Sequence, residues 1–145
     1  MKGRTCADGR KQRPYIPKEG AKSPTVSDEG LILSFVTYAH EGRRVVTADV
    51  PGAFLHSDVI GVVFVVVNGI LVDMLIRSNK KYEQFVHTTH DGKRVVYLKL
   101  KKALYGTLTA ARLFWENITD KLTNYGFKLN EYDQCVANKI INGTQ

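Results

Sequence analysis

The chain has 145 residues, of which 43% are hydrophobic and 24% charged, a composition typical of one globular domain with a core. No apolar run reaches the roughly 18 residues of a membrane span, and no apolar stretch follows the basic start, so we expect neither a transmembrane segment nor a secretory signal. Cys6 and Cys135 are the only cysteines and neither lies in a Cys-x-x-Cys pair, so we expect no zinc site and no disulfide framework. We therefore expect a reduced protein of the cytosol or nucleus.

The formal net charge of +7 is unevenly distributed along the chain. Residues 1–22 hold seven basic and two acidic side chains, and a second basic cluster, Lys99, Lys101 and Lys102, lies just before a glycine turn. Such patches attract nucleic acid or triphosphate through electrostatics that do not depend on sequence. A solubilising tail and a solvated strand face would have the same composition.

The first half of the chain predicts one helix and one short strand. Residues 1–25 are rich in glycine, proline and basic residues, which indicates loops or short edge strands. Ser27 is a suitable N-cap for a helix of about 14 residues, with apolar side chains at helical spacing and Gly42 as its end. Residues 45–47 are all β-branched and predict a short buried strand leading into Asp49.

A valine-rich segment follows. Residues 59–67 are almost entirely valine and isoleucine, which predicts a buried strand. Asn68 and Gly69 form a strong turn signal after it. Residues 70–76 are a short apolar run that fits a strand or a helix equally well.

The second half predicts a hairpin and a second helix. A turn at residues 90–93 precedes a strand at residues 94–100. Gly106 interrupts the pattern, and an amphipathic helix at residues 111–125 then ends at Gly126. The order of elements predicts an α+β domain in which an antiparallel sheet packs on two amphipathic helices.

Asp49 is the first candidate for chemistry. A carboxylate at the end of a buried strand, where the chain turns, is well placed to hold a divalent cation, and oxygen ligands are those that Mg²⁺ prefers. The alternative is that Asp49 only caps the turn at Pro51 and Gly52.

The second candidate is the basic strand that leads into Gly106. Glycine lets the backbone approach a ligand closely, and a helix start offers free N–H groups to an anion. Most glycines before a helix, however, only make a turn.

Two segments at a fixed separation, with shorter stretches around them, form a pattern more specific than any of its parts. The first segment runs Val46-Thr47-Ala48-Asp49-Val50-Pro51-Gly52-Ala53-Phe54-Leu55-His56-Ser57-Asp58. The second runs Leu98-Lys99-Leu100-Lys101-Lys102-Ala103-Leu104-Tyr105-Gly106, followed by Arg112-Leu113-Phe114-Trp115. The shorter stretches are Lys2-Gly3-Arg4, Ser23-Pro24-Thr25-Val26 and Asp133-Gln134-Cys135-Val136. The pattern resembles the reverse transcriptases of copia-type LTR retrotransposons over nearly the whole chain.

The resemblance implies part of an RNA-directed DNA polymerase, with residues 1–26 as a basic fingers-like segment and residues 27–145 as a partial palm within one domain. It implies a two-metal Mg²⁺ site in which Asp49 and the backbone carbonyl of Val50 are ligands. Phe54 would lie against the sugar of the incoming nucleotide and exclude a 2′-hydroxyl, although plain core packing would also explain it.

Further site residues follow from the same resemblance. Gly106, Lys2 and Arg4 would bind the nucleotide, and Lys101 and Lys102 would contact template–primer phosphates. The implied partners are an RNA or DNA template–primer, a deoxynucleoside triphosphate and the remainder of the retrotransposon polyprotein, with no membrane.

One departure from the family is decisive for activity. The family has a second motif, x-x-Asp-Asp, soon after the Asp-x-Cys step, and no Asp-Asp pair occurs in this chain. One carboxylate cannot hold two metals, so we expect this polypeptide to be inactive alone. Residues 59–63 and 107–112 also differ from those usual in the family.

Two other interpretations stay open. In the first, the chain is a non-catalytic basic nucleic-acid-binding module in which Asp49 is structural, and in the second it is a degenerate transposon remnant. The first predicts salt-sensitive binding that needs no Mg²⁺ and survives Asp49→Ala. The second predicts an exposed strand edge and apolar face that promote aggregation.

Overall fold

The computed structural model describes residues 6–141, which form two compact units. Unit 1 comprises the described residues up to Ser57 and those from Ala103 onward, and unit 2 is Asp58–Lys102. Helices and antiparallel sheets occur together. The prediction of a mixed helix and sheet composition with an antiparallel sheet is confirmed, but the helix that packs on the three-stranded sheet, Ile70–Ser78, is not one of the two predicted amphipathic helices.

Unit 2 is built on a three-stranded antiparallel sheet. Its strands are β1 Phe64–Asn68, β2 Val86–Thr88 and β3 Arg94–Lys99, in the spatial order β1-β3-β2. The predicted turn between β2 and β3 is confirmed, and the Thr89 N–H closes it by donating to the Lys93 carbonyl at 2.9 Å. The central position of β3 places Val95 and Val96 in the core, where they are 5% and 0% exposed.

The apolar run that fits a strand or a helix is helix α3, Ile70–Ser78. The predicted turn at Asn68 and Gly69 precedes it, with Gly69 at φ 58°. Helix α3 packs on β1 and β3 within unit 2 and buries Val72 completely. A helix is favoured because it covers the apolar face of the sheet, which a fourth strand in the same layer would leave exposed.

The prediction of one buried strand over residues 59–67 is wrong in its extent and its burial. Strand β1 starts only at Phe64, and its side chains alternate between half-buried and exposed. Phe64 and Val66 are 55% and 48% exposed. The reason is that β1 lies at an edge of the sheet, whereas the central strand β3 carries the buried Val95 and Val96.

Unit 1 contains the two helices that the sequence predicts most clearly. Helix α2 is Asp28–His40, and the predicted N-cap is present because the Ser27 Oγ accepts a hydrogen bond from the Gly30 N–H at 3.0 Å. Helix α4 is Ala110–Asn124 and buries Ala110 and Leu113. The remaining regular elements of unit 1 are the short helix α1 Lys18–Ala21, the strands β4 Lys128–Leu129 and β5 Ala137–Asn138, and the 3-10 turns Gly9–Gln12 and Ala53–His56.

The described part of the N-terminal segment contains loops, as one of the two predicted alternatives, together with short helical turns that were not predicted. Within residues 6–25 the chain forms a 3-10 turn and helix α1, and no strand occurs there. Asp8 caps the turn by accepting a hydrogen bond from the Arg10 N–H at 3.1 Å. Since a local side-chain cap satisfies the backbone here, this segment folds without a neighbouring strand.

The predicted strand at residues 45–47 is also wrong. These residues have no regular structure, and Val45 and Val46 are 56% and 87% exposed. Within residues 6–141, the backbone groups of residues 44–50 make no hydrogen bond to the protein. A β-branched run forms a strand only against a hydrogen-bonded partner, and this structure provides none.

Helix α2 is unusual in that none of its side chains is buried. Ile32, Leu33 and Val36 are each 60% exposed or more. None of the helices among residues 6–141 has the length and apolar character needed to cross a bilayer.

Candidate functional site

The part of the first motif up to Ser57 packs against the part of the second motif from Ala103 onward, within unit 1. The Phe54 ring lies 4.5 Å from the Tyr105 ring and 6.1 Å from the Phe114 ring, centroid to centroid. The Ala103 N–H donates to the Ser57 carbonyl at 2.9 Å, and both residues are buried. Segments far apart in the sequence thus form one aromatic cluster, which we define as Phe54, Tyr105 and Phe114.

Phe54 owes its place to the 3-10 turn Ala53–His56. Gly52 precedes the turn at φ 64°, a conformation that favours glycine, and the turn packs on helix α4. The two ring contacts leave Phe54 only half-buried. Packing therefore accounts for an aromatic residue at this position, and the contact with a nucleotide sugar stays a prediction.

Gly106 lies where two backbone segments meet. The Ala7 N–H donates to the Tyr105 carbonyl at 2.7 Å, and Gly106 has φ 88°. A Cβ at Gly106 would lie 2.0 Å from the Ala7 carbonyl oxygen, and one at Gly9 would lie 2.2 Å from the Gly106 carbonyl oxygen. Both positions therefore require glycine for a close approach between two parts of this chain, and the predicted approach to a nucleotide stays untested.

Asp49 lies in the irregular, exposed segment described above rather than at the end of a strand. Its carboxylate makes no hydrogen bond or ion pair with any residue from 6 to 141. An exposed carboxylate without a partner is accessible to a cation, but its orientation is not held by the protein.

The donor set around Asp49 does not fit a two-metal site. Asp49 and the carbonyl of Val50 supply two oxygens, whereas Mg²⁺ requires octahedral coordination and a second ion requires further carboxylates. In the described part of the chain, no three histidine, cysteine, aspartate or glutamate side chains lie together as a metal-binding group. The residues present therefore supply at most part of the ligands for one ion.

The basic site residues are distributed unevenly. Lys102 forms an ion pair with Asp58 at 2.8 Å within unit 2, whereas Lys101 is exposed and has no ion pair among residues 6–141. Lys101 is therefore the better candidate for a phosphate contact. Lys2 and Arg4 lie outside the described residues.

In the described part of the N-terminal segment, the charge of Arg10 is neutralised by a neighbouring carboxylate. The Arg10 guanidinium forms an exposed ion pair with Asp8 at 2.8 Å. Hydrogen bonds from the Arg10 side chain and backbone N–H lower the pKa of Asp8 to about 2. Asp8 therefore stays charged near neutral pH, and the segment is less positive locally than its basic residues indicate.

No protein-family model, curated protein or solved structure matches this chain. Any functional assignment therefore depends on the motif residues themselves and on the contacts that unit 1 makes between them.

Sequence reasoning missed the structural role of Asp133. Its Oδ2 accepts hydrogen bonds from the Ser27 N–H at 2.8 Å and the Ser27 Oγ at 3.0 Å. Its Oδ1 accepts from the Cys135 N–H at 2.9 Å. Asp133 thus joins the start of α2 to the loop before β5. The N-cap signal at Ser27 was visible in the sequence, but a partner 106 positions away was not.

Backbone hydrogen bonds from Ser27 and Cys135 hold the pKa of Asp133 below its usual value. A carboxyl whose pKa is lower in the folded state stabilises the fold above its unfolded pKa, about 3.9, and loses this contribution as the pH falls through the folded pKa. We expect Asp133→Asn to lower the midpoint of urea unfolding at pH 7 and to flatten its decline on acidification below about pH 4.

The measurement is the unfolding midpoint of both proteins from pH 7 to pH 2. Ser27→Ala is the companion variant, and its loss of the cap is expected to lower the free energy of unfolding by about 1 kcal/mol. Parallel pH profiles for Asp133→Asn and the unmodified protein would show that Asp133 does not link protonation to folding.

Proposed function

We propose that this chain is a fingers-and-palm fragment of a retrotransposon RNA-directed DNA polymerase of the copia type. The single observation that carries the proposal is the contact of Phe54 with Tyr105, at 4.5 Å between ring centroids. These residues belong to the two segments that carry the sequence resemblance, and they are 51 positions apart in the chain. Two segments that form one functional site are expected to pack together in the fold, whereas chance similarities are not.

The proposed role of the chain is to contribute one metal ligand and part of a nucleotide pocket. Asp49 would bind the metal ion, Phe54 would lie beside the sugar, and Lys101 would contact a phosphate of the template–primer. The other metal-binding carboxylates have to come from outside these 145 residues, because the chain has no Asp-Asp pair. The chain alone therefore has no polymerase activity under this proposal.

The test begins with the nucleic-acid sequence beyond the codon for Gln145. An aromatic or histidine residue followed by x-Asp-Asp within a few tens of codons would supply the missing carboxylates. The extended polypeptide is then assayed for Mg²⁺-dependent extension of a DNA primer on an RNA template. Absence of such a motif in every reading frame, or an extended protein that folds but does not extend primers, would contradict the proposal.

A second candidate function is favoured by the exposed charge of this protein. The net charge is +7, and Lys101 is exposed without an ion pair in the described part of the chain. A non-catalytic nucleic-acid-binding module needs only such charges, because phosphate contacts supply sequence-independent affinity. It would bind RNA or DNA in the presence of a chelator and would not need Asp49.

Lys101 and Lys102 form a matched pair that tests this binding. We expect Lys101→Ala to reduce the slope of log K against log salt by about 1 for an RNA oligonucleotide. Lys102→Ala is expected to reduce it less, because Asp58 already neutralises that side chain. Fluorescence anisotropy over a range of salt concentrations measures both slopes. Equal slopes for both variants and the unmodified protein would exclude a phosphate contact at Lys101.

A further inference from the structure

Residues 44–50 are a strand-forming segment without a strand partner. Val45, Val46 and Thr47 are β-branched, and residues of this type favour the pleated, half-buried surface of a sheet. Val46 is nevertheless 87% exposed, and the backbone donors and acceptors of residues 44–50 are unpaired within residues 6–141. An exposed segment with free N–H and C=O groups is a template for the addition of another strand.

The charges at the ends of this segment favour one particular partner. Arg43 lies at one end and Asp49 at the other, with uncharged side chains between Arg44 and Asp49. An antiparallel copy of the same segment would therefore bring each Arg43 to the Asp49 of the other molecule. The charges of the segment are therefore complementary to those of a second copy of this chain.

We propose that this protein forms a two-fold symmetric dimer in which residues 43–49 of two copies pair as antiparallel strands centred on Val46. The two-fold axis is perpendicular to the plane of the two paired strands. It maps each residue onto the same residue of the other copy, so each side chain stays on the same face of the ribbon. Val46 then faces Val46, Val45 faces Thr47, Arg44 faces Ala48 and Arg43 faces Asp49. The Arg43–Asp49 pair forms twice in each dimer.

The neighbouring symmetric registers are less favourable. A ribbon centred on Thr47 would place Val45 opposite Asp49, and one centred on Val45 would place Thr47 opposite Arg43. Only the ribbon centred on Val46 pairs opposite charges at both ends and β-branched side chains in the middle, which are the cross-strand pairs that stabilise antiparallel ribbons.

Both members of the proposed ion pair are accessible. Asp49 is exposed and has no hydrogen bond or ion pair among the described residues. The Arg43 side chain is 31% exposed and forms an ion pair with Glu41 through Nε. Its two terminal nitrogens are not used in that ion pair, so they can donate to a second carboxylate.

The dimer goes beyond the proposed polymerase function and does not depend on it, and because it pairs the Asp49 carboxylate with Arg43, it is a state of the chain in which Asp49 binds no metal ion. It is measured without metal, nucleotide or nucleic acid, so its failure is distinguishable from a failure of the polymerase proposal. Analytical ultracentrifugation of the full chain from about 1 µM to about 1 mM covers the range of weak, reversible association. We expect a monomer–dimer equilibrium.

Charge reversal tests the register. Asp49→Arg and Arg43→Asp are each expected to weaken homodimerisation by about tenfold or more, because two cross-strand pairs become like-charged in each dimer. An equimolar mixture of the two variants restores the opposite charges and is expected to form a heterodimer. Arg44→Asp is the matched control. It makes the same change of charge on the neighbouring residue, which faces Ala48, and is expected to alter the dissociation constant by less than about threefold.

Several results would overturn the proposal. They are a protein that stays monomeric at the highest concentration, open-ended association in place of a dimer, an Arg44→Asp variant as defective as Arg43→Asp, and a mixture that does not restore association. Arg43→Asp also removes the contact with Glu41, so its fold is checked by circular dichroism. Asp49→Arg changes a residue without such contacts and keeps the test decisive if Arg43→Asp unfolds.

Discussion

Replacing Gly106 by alanine is expected to lower the free energy of unfolding of unit 1 by about 3 to 5 kcal/mol. Two effects combine at this position. Alanine at φ 88° is strained, and its Cβ would lie 2.0 Å from the Ala7 carbonyl oxygen, a backbone atom that cannot rotate away. The segment around Ala7 would have to move, and its hydrogen bond to Tyr105 would be lost.

Gly126→Ala is the matched control for this prediction. Gly126 is in the same unit with nearly the same backbone angle, φ 85°, but the nearest atom to its Cβ is 3.7 Å away in the flexible Lys139 side chain. Gly126→Ala is expected to lower the free energy of unfolding by the backbone strain alone, about 1 to 2 kcal/mol. Gly9→Ala tests the clash without the strain, because its Cβ meets the Gly106 carbonyl oxygen at 2.2 Å.

Urea denaturation of the three variants, followed by tryptophan fluorescence, measures these differences, since Trp115 lies on helix α4 in unit 1. We expect Gly106→Ala to lower the free energy of unfolding most and Gly126→Ala to lower it least, with Gly9→Ala between them. Equal destabilisation of Gly106→Ala and Gly126→Ala would show that the contact between the segments at Ala7 and Gly106 does not exist in solution.

Asp49→Ala is expected to lower primer extension by the extended polypeptide by about 10³-fold or more, because a metal ion contributes several kcal/mol to transition-state stabilisation. The same change is expected to leave the stability of the chain within about 0.5 kcal/mol, because an exposed side chain without partners contributes little to folding. This separation of activity from stability is the signature of a functional residue at an exposed position.

Asp120→Ala serves as the control for Asp49→Ala. Asp120 is exposed on helix α4, and alanine is a good helix former, so both activity and stability should be retained. Primer extension is measured with labelled deoxynucleotides at saturating Mg²⁺, and stability is measured by denaturation of the same preparations. An Asp49→Ala protein that extends primers as well as the Asp120→Ala protein would remove Asp49 from the proposed site.

Local patterns predicted the helices well. The Ser27 cap, the start of α2 and the stop of α4 before Gly126 were all visible in the sequence, because capping and helical periodicity act over a few residues. The hairpin between β2 and β3 was predicted for the same reason, since a turn at residues 90–93 joins strands that are neighbours in the chain.

The strands predicted at residues 45–47 and 59–67, on either side of Asp49, were not predicted correctly, and the reason is physical. Val45 and Val46 have the composition of a buried strand, but a strand needs hydrogen bonds from a partner that can lie anywhere in a chain or outside it. Burial of residues 59–67 likewise depended on the place of their strand in the sheet, and β1 lies at an edge. Neither fact is encoded in the residues of the segment itself.

The candidate site was likewise predictable only in part. The residues that carry the resemblance, Asp49, Phe54 and Gly106, could be named from the sequence, because motif spacing is a property of the chain. The ring contact between Phe54 and Tyr105, the approach of Gly9 to Gly106 and the link from Asp133 to Ser27 could not. Each of these contacts joins positions at least 51 residues apart, and such distances are closed only when helices and turns pack together in three dimensions.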